Sequence, residues 1–373
     1  MRHSQQAVPR RVTLGLTVFL ISPFAASSAA RVRAHPSKPP PAVTEVGLVS
    51  PLTAGSVELT AGPQPLSVGQ DEHSAFPGLA KTPDGGLALV WRQGTDHVAS
   101  RDGNIMLSRS DGAGRAFTAP TTIASGEDYR DPSVSFVDGH RWLTYFTGTD
   151  TRPAQGAYAQ RDPGPPTRID ALPYAAISAP IAALPDGDLA AVYYGRSGAE
   201  TIDSVWFARS TDGGASWTST RIANGQSAGR AYQEPWLVVN GRSVHVPHRW
   251  GAWDSLGITS SADGGRTWAA PRKILSAATG RPTTVVLSSG AMAMVYRSTT
   301  TRAAMLATST DNGAGWTPTG TLMAAPVGSP LGMTYAAGIE VMPGVAQLVI
   351  GMEAADGSSR LNSAYLACVE RLI

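Results

Sequence analysis

The sequence predicts an all-β protein, a β-propeller of six four-stranded antiparallel blades, and three observations lead there. An eight-residue phrase, Ser-x-Asp-x-Gly-x-x-Trp, recurs at Ser210–Trp217, Ser261–Trp268 and Ser309–Trp316; a looser copy from Ser110 to Phe117 has its Asp one place early, at Asp111. The starts lie 100, 51 and 48 residues apart, so the first gap holds two periods and the unit is roughly 50 residues, a propeller-like period. Composition agrees, since 40 Gly and 28 Pro among short Val, Leu, Ala and Tyr runs suit many tight turns and few helices.

From the N-terminus, residues 1–30 read as a secretory signal: Arg2, Arg10 and Arg11 precede the apolar run Val12–Phe24 and the small residues Ala26-Ser27-Ser28-Ala29-Ala30. The run is too short, and too soon followed by Arg31 and Arg33, for stable membrane insertion. Residues 31–64, with Pro36, Pro39, Pro40 and Pro41, read as a linker or N-terminal extension. Residues 65–373 are then the propeller, long enough for six units.

Within it, Thr82-Pro83-Asp84-Gly85, Val137-Asp138-Gly139, Leu184-Pro185-Asp186-Gly187 and Asn240-Gly241 mark one series of hairpins. The repeated phrase marks the other, because strand-like runs such as Ser204–Ala208 and Ala304–Thr308 lead into it. Its Asp carboxylate can bond nearby backbone amides, its Gly accepts positive φ, and its Trp begins the next strand and packs inward. These boxes are folding devices, remote from chemistry. The lone Cys368 excludes an internal disulfide, so packing and ring closure must supply stability. A net charge of +2 without a basic block argues against nucleic acid as a partner.

After about Glu72 the chain resembles the bacterial exo-sialidases, six-bladed propellers that carry the same Asp-boxes. That family's sites hold three arginines gripping a carboxylate, a Tyr with a Glu partner, and an Asp on a mobile loop. Tyr232-Gln233-Glu234-Pro235, followed by the strand Trp236–Val239, the turn Asn240-Gly241 and His248-Arg249, resembles the segment with the Glu and the second Arg. The resemblance implies that Glu234 is the Tyr's partner and that Arg249 binds substrate. Arg302, seven residues before the box at Ser309, resembles the third Arg. Tyr335-Ala336-Ala337 and, one hairpin later, Met352-Glu353 resemble the family's nucleophilic Tyr and the Glu that follows it. The loop Trp91–His97 stands where the Asp-bearing loop is expected, which makes Asp96 the general acid.

The first arginine departs from the pattern. His73-Ser74-Ala75-Phe76-Pro77-Gly78-Leu79 stands where the family has a phrase like Arg-Ile-Pro-Ala-Leu, and Ala75 takes the Arg position. Either Arg92, Arg101 or Arg130 substitutes, or the substrate has no carboxylate there.

The chemistry explains the residue types. A sialoside bears a carboxylate beside its anomeric carbon, which would repel a carboxylate nucleophile but not a neutral Tyr activated by Glu. Arg forks match the substrate carboxylate, and an Asp can protonate the leaving oxygen. Structural readings compete: Glu234 as a strand cap, Arg249 and Arg302 covering Trp faces, Tyr335 as a core residue. His73, His97 and His248 show no metal-ligand spacing, so no metal or cofactor is expected. The resulting expectation is a secreted, monomeric, sialidase-like glycoside hydrolase that releases terminal sialic acid or a related sugar from glycoconjugates by a retaining mechanism with a Tyr nucleophile. The alternatives are a catalytically silent glycan-binding propeller and a polysaccharide lyase or arabinan-type hydrolase on the same scaffold.

Overall fold

The computed structural model describes residues 57–66, 73–97, 102–110, 114, 116–148 and 156–368. The expected signal segment, most of the expected linker, Arg101 and Asp111 lie outside the described residues.

Short strands between turn-forming residues build a series of antiparallel meanders. The first consists of His73–Lys81, Leu87–Gly94, Asn104–Ser110 and Thr121–Ala124. Four more follow in chain order, from Asp128 to Arg168, Tyr174 to Ala223, Tyr232 to Ser276 and Ala278 to Met323. The last, Met333–Met342, Val345–Glu353 and Ser359–Cys368, takes the strand Val57–Pro65 along its outer edge. Four of these sheets, of four or five strands, are separate. The first and last meanders are joined by one parallel pair, His73 with Ser359, into a sheet of eight strands. Six separate blades were expected; the hydrogen bonding instead gives four separate sheets and one composite, because the start of the first inner strand meets the start of the last outer one.

Val57–Pro65 also corrects the expected linker boundary. The end of the 31–64 stretch is a strand, because it finds a free sheet edge some 300 residues on in sequence. The joining of the two chain ends gives the outer strand Ser359–Cys368 partners on both sides. Apolar residues of facing sheets form the core, as where Val285, Val295 and Leu306 pack with Leu348, Ile350 and Leu366. The single helix among the described residues is the four-residue turn Gly225–Ala228, capped by Asn224. No helix of these residues is long and apolar enough to cross a membrane.

The three full boxes fold as their chemistry dictates. In the first, Ser210 Oγ donates to Asp212 Oδ1 at 2.7 Å and accepts from Gly214 N at 2.8 Å, while Asp212 Oδ1 accepts from Ser216 N at 2.9 Å. Ser261 and Asp263, and Ser309 and Asp311, repeat this. The second Gly of the box at Ser261 is obligatory: Gly265 has φ 83°, and a Cβ there would come within 2.7 Å of the Phe207 ring. Trp268 packs on that same ring at 4.9 Å. Each box lies at the far end of its strand from the residues described next, about 20 Å away along Ser204–Ser210.

Candidate active site

Proline shapes the site. The inner strands carry Phe76-Pro77, Asp131-Pro132, Ala179-Pro180, Glu234-Pro235 and Arg281-Pro282, with the prolines 55, 48, 55 and 47 residues apart. Lacking an N–H, each interrupts its ladder. The register slips between Ala75 and Gly78, Arg130 and Ser133, and Thr279 and Thr283, and in the last meander between Met333 and Ala336. Such bulges re-aim side chains. Phe76, Asp131, Glu234 and Tyr335 take positive φ, of 55°, 47°, 50° and 86°. Left-handed backbone at non-glycine residues costs about 1–3 kcal/mol each and persists where the surroundings enforce it.

Arg281 is the hub of these bulges. It is fully buried; its Nη1 donates to Ser178 O at 3.0 Å, and its Nη2 donates to Pro77 O at 2.8 Å and Ala336 O at 2.6 Å, tying the inner strands of three sheets together. Its guanidinium lies 5.4 Å from the centre of the Tyr335 ring.

The Tyr335 hydroxyl donates to Glu234 Oε1 at 2.8 Å, and Arg249 Nη1 donates to the same oxygen at 2.7 Å. Arg249 also bonds Gln233 Oε1, and its guanidinium stacks 3.4 Å over the exposed Trp253 ring. Tyr335, Glu234 and Arg249 are all buried. Burial raises the Tyr335 phenol pKa well above its ordinary value, and Glu234 and Asp131 raise it further. The phenol is therefore neutral at physiological pH and needs the Glu234 carboxylate to remove its proton. Glu234 Oε2 has no hydrogen-bond partner among the described residues.

A cleft of about 650 Å³ opens beside this group, lined by Asp96, His97, Glu353 and Arg360 among others. Asp96 is exposed, and its loop is held by Arg92 Nη1, which donates to Asp96 O at 2.6 Å. His97 links the cleft to Tyr335: its ring meets Phe76 at 4.8 Å, tilted, and lies 6.4 Å from the Tyr335 ring, which Phe76 meets at 5.0 Å. Glu353 is buried with Oε2 3.5 Å from His73 Nε2. Desolvation raises the Glu353 pKa and lowers that of His73 to about 4, which keeps the imidazole neutral.

Of the sequence-derived candidates, Tyr335, Glu234 and Arg249 thus converge, and Asp96 and Glu353 line the adjoining cleft. Arg92 and Arg130 turn inward to a shared carboxylate: Arg92 Nη2 and Arg130 Nε donate to Asp128 at 2.9 and 2.5 Å. Arg302 stands apart. It is exposed on the turn after Met292–Ser298, and its Nη1 donates to Ser329 O at 2.6 Å. Ala75 is fully buried at the first bulge, so the missing arginine is a real gap in this wall.

Two groups escaped the sequence reading. Arg297, five residues before Arg302, donates from Nη1 to Met333 O at 2.9 Å and acts electrostatically on Tyr335, Glu353 and His97. The signal was present: the second strands of four meanders carry Arg92, Arg196, Arg249 and Arg297 at or near their ends. Asp131 is the other, and the repeated X-Pro phrase marks it. Burial pushes its carboxyl up to about 6; Arg281 opposes this and Glu234 adds to it.

Asp131 has a consequence for stability. With its folded pKa above the unfolded value near 4, the native state binds the extra proton between about pH 4 and 6. The contribution is complete below that window and lost as pH rises through it. Asp131→Asn, which cannot ionise, is therefore expected to gain stability relative to the parent from pH 4 to pH 7. Urea midpoints across that range measure it; a difference independent of pH contradicts the assignment.

The fold is of the sialidase/BNR type. A family model for the BNR repeat-like domain matches residues 85–341, and the chain belongs to that family. No curated protein matches it by sequence. Among solved structures, a protein of unknown function from Dyadobacter fermentans DSM 18053 superposes with TM-score 0.71 at 15% identity, covering 85% of this chain and 100% of that one. Trypanosoma rangeli sialidase in complex with the inhibitor DANA superposes with TM-score 0.60 at 11% identity over 79% of this chain, which spans 55% of the sialidase. The Fusarium graminearum α-L-arabinofuranosidase Arb93A in complex with an iminosugar inhibitor gives TM-score 0.55 at 12% identity, covering 84% of this chain and 98% of that one. At these identities the likeness is one of fold.

Proposed function

We propose that the protein is a retaining glycoside hydrolase of sialidase type. The observation that carries this reading is the buried hydrogen bond of 2.8 Å from the Tyr335 hydroxyl to Glu234. Glu234 takes the phenol proton as Tyr335 Oη attacks the anomeric carbon and the bond to the leaving oxygen breaks. Asp96 gives that oxygen its proton. Water then attacks the same carbon, its proton going to the ionised Asp96, and the C–Oη bond breaks as Glu234 returns the proton to Tyr335. Arg249 orients Glu234 through its bond to Oε1. With Ala75 at the first position and Arg302 outside the cluster, the guanidiniums placed to meet an acidic sugar are Arg297 and Arg249 near Tyr335 and Arg360 in the cleft. The architecture that goes with this reading counts the eight-stranded sheet as two blades, six in all. Residues 1–30, read as an export signal, would place the activity outside the cell.

Fluorimetric turnover of 4-methylumbelliferyl N-acetylneuraminide, run beside a panel of other aryl glycosides, tests the proposal. Release of fluorophore from the sialoside is the expected result; release only from a neutral glycoside assigns the scaffold to another sugar.

A second reading has its own observation. Phe76 and His97 pack beside Tyr335, which is only 9% exposed, so the tyrosine is largely covered, in part by aromatic rings. A propeller that binds glycan without cleaving it fits that cover, and predicts binding with no turnover on any member of the panel.

A further inference from the structure

His73, His97 and Glu353 form a cluster that the hydrolytic reading does not use. They come from three places in the eight-stranded sheet: the start of one inner strand, the loop after Leu87–Gly94 and the end of Val345–Glu353. One ring nitrogen from each histidine and one carboxylate oxygen all lie within 4.8 Å of one another. The histidine rings meet edge-on at 5.3 Å. His73 is 1% exposed, yet neither of its ring nitrogens has a hydrogen-bond partner among the described residues, and neither has His97 Nδ1. Buried polar groups left this way are costly unless something binds them.

We propose that His73, His97 and Glu353 hold a divalent transition-metal ion of the zinc class at the wall of the cleft. Two imidazoles and one carboxylate suit a borderline ion, whereas calcium and magnesium call for a shell of oxygens that this cluster does not offer. At zinc–nitrogen and zinc–oxygen lengths of about 2.0–2.2 Å, tetrahedral ligand atoms stand roughly 3.3 Å apart. The His73 to Glu353 separation of 3.5 Å is already close to this, and the other spans close with side-chain shifts of about an ångström. His97 and Glu353 line the cleft, so a water or a ligand oxygen can complete the shell from that side. Charge around the cluster is mixed. Arg92, Arg360 and Arg297 disfavour a cation, but Arg92 is paired with Asp128, and the Asp96 carboxylate acts on both His73 and Glu353. That balance points to moderate affinity.

The test uses the full chain, stripped with a chelator and re-exposed to zinc, with metal content measured after gel filtration and cobalt(II) as a spectroscopic probe. About one zinc per chain is expected, with visible d–d absorption from cobalt in a low-coordinate nitrogen–oxygen site. His73→Gln and Glu353→Gln should each weaken zinc binding by more than the roughly ten- to hundredfold typical of an outer-shell partner. His140→Gln, at the start of the strand His140–Gly148 in another sheet, should leave it unchanged. Should the buried His73→Gln variant fail to fold, the half-buried His97→Gln carries the same test. No zinc in the parent protein, or zinc retained in the ligand variants, overturns the proposal. Metal content does not depend on turnover, so this result and the glycosidase assay stand or fall separately.

Discussion

Tyr335→Phe is expected to lower kcat by about three orders of magnitude or more on whichever aryl glycoside the parent protein hydrolyses. The substitution removes the atom that the proposed mechanism uses for the covalent bond and leaves the ring in its contact with Phe76. Glu234 keeps its bond from Arg249 Nη1 at 2.7 Å, so its carboxylate does not become an unpaired buried charge. Stability should therefore fall only by the worth of one hydrogen bond to a charged group, about 1.5–3 kcal/mol. Activity and stability are thus expected to separate in this variant. Retention of kcat within tenfold would make Tyr335 a core residue and assign the chemistry to another group, such as a carboxylate of the cleft.

Asp128→Asn should give the largest loss of stability, about 3–5 kcal/mol. Asp128 is the carboxylate between two buried guanidiniums: Oδ1 accepts from Arg92 Nε at 3.2 Å and Nη2 at 2.9 Å, and Oδ2 accepts from Arg130 Nε at 2.5 Å. Arg92 is fully buried and Arg130 nearly so. A neutral amide leaves both charges in a poorly solvated site with one acceptor fewer, and removing one partner of a buried pair costs more than the pair contributes. Packing around the cluster is tight, since a Cβ on Gly103 would come within 2.3 Å of Asp128 Oδ1. Arg92 also anchors the loop carrying Asp96, so kcat should drop along with the urea midpoint. A shift below about 1 kcal/mol, the range of solvated pairs, would mean that water reaches these charges.

The site was legible to different depths at different residues. Local phrases mark Tyr335, Glu234 and Arg249, and the fold brings these three side chains together. Arg302 was chosen by its distance from a box, a measure blind to the turn at residues 299–302 that carries it out to solvent. Arg297, on the strand just before, faces the cluster instead. Glu353 resembles the Glu that follows the family's Tyr, but its nearest charged partner in the fold is His73, 280 positions earlier in the chain.

What the sequence determined by itself is local chemistry. The boxes close their hydrogen bonds within a few residues, so Ser, Asp and Gly at fixed offsets are sufficient to specify the hairpins and, by repetition, the propeller. The X-Pro phrases likewise dictate where inner strands must bulge. The tertiary structure decided which distant segments share an edge or a charge. The strand Val57–Pro65 exists because Ser359–Cys368 offers it a ladder, and the clusters at Asp128 and at His73, His97 and Glu353 exist because the ring of sheets brings strand ends together. Hydrogen bonds across a turn are encoded in spacing; those across the ring depend on how the sheets close, which no spacing along the chain records.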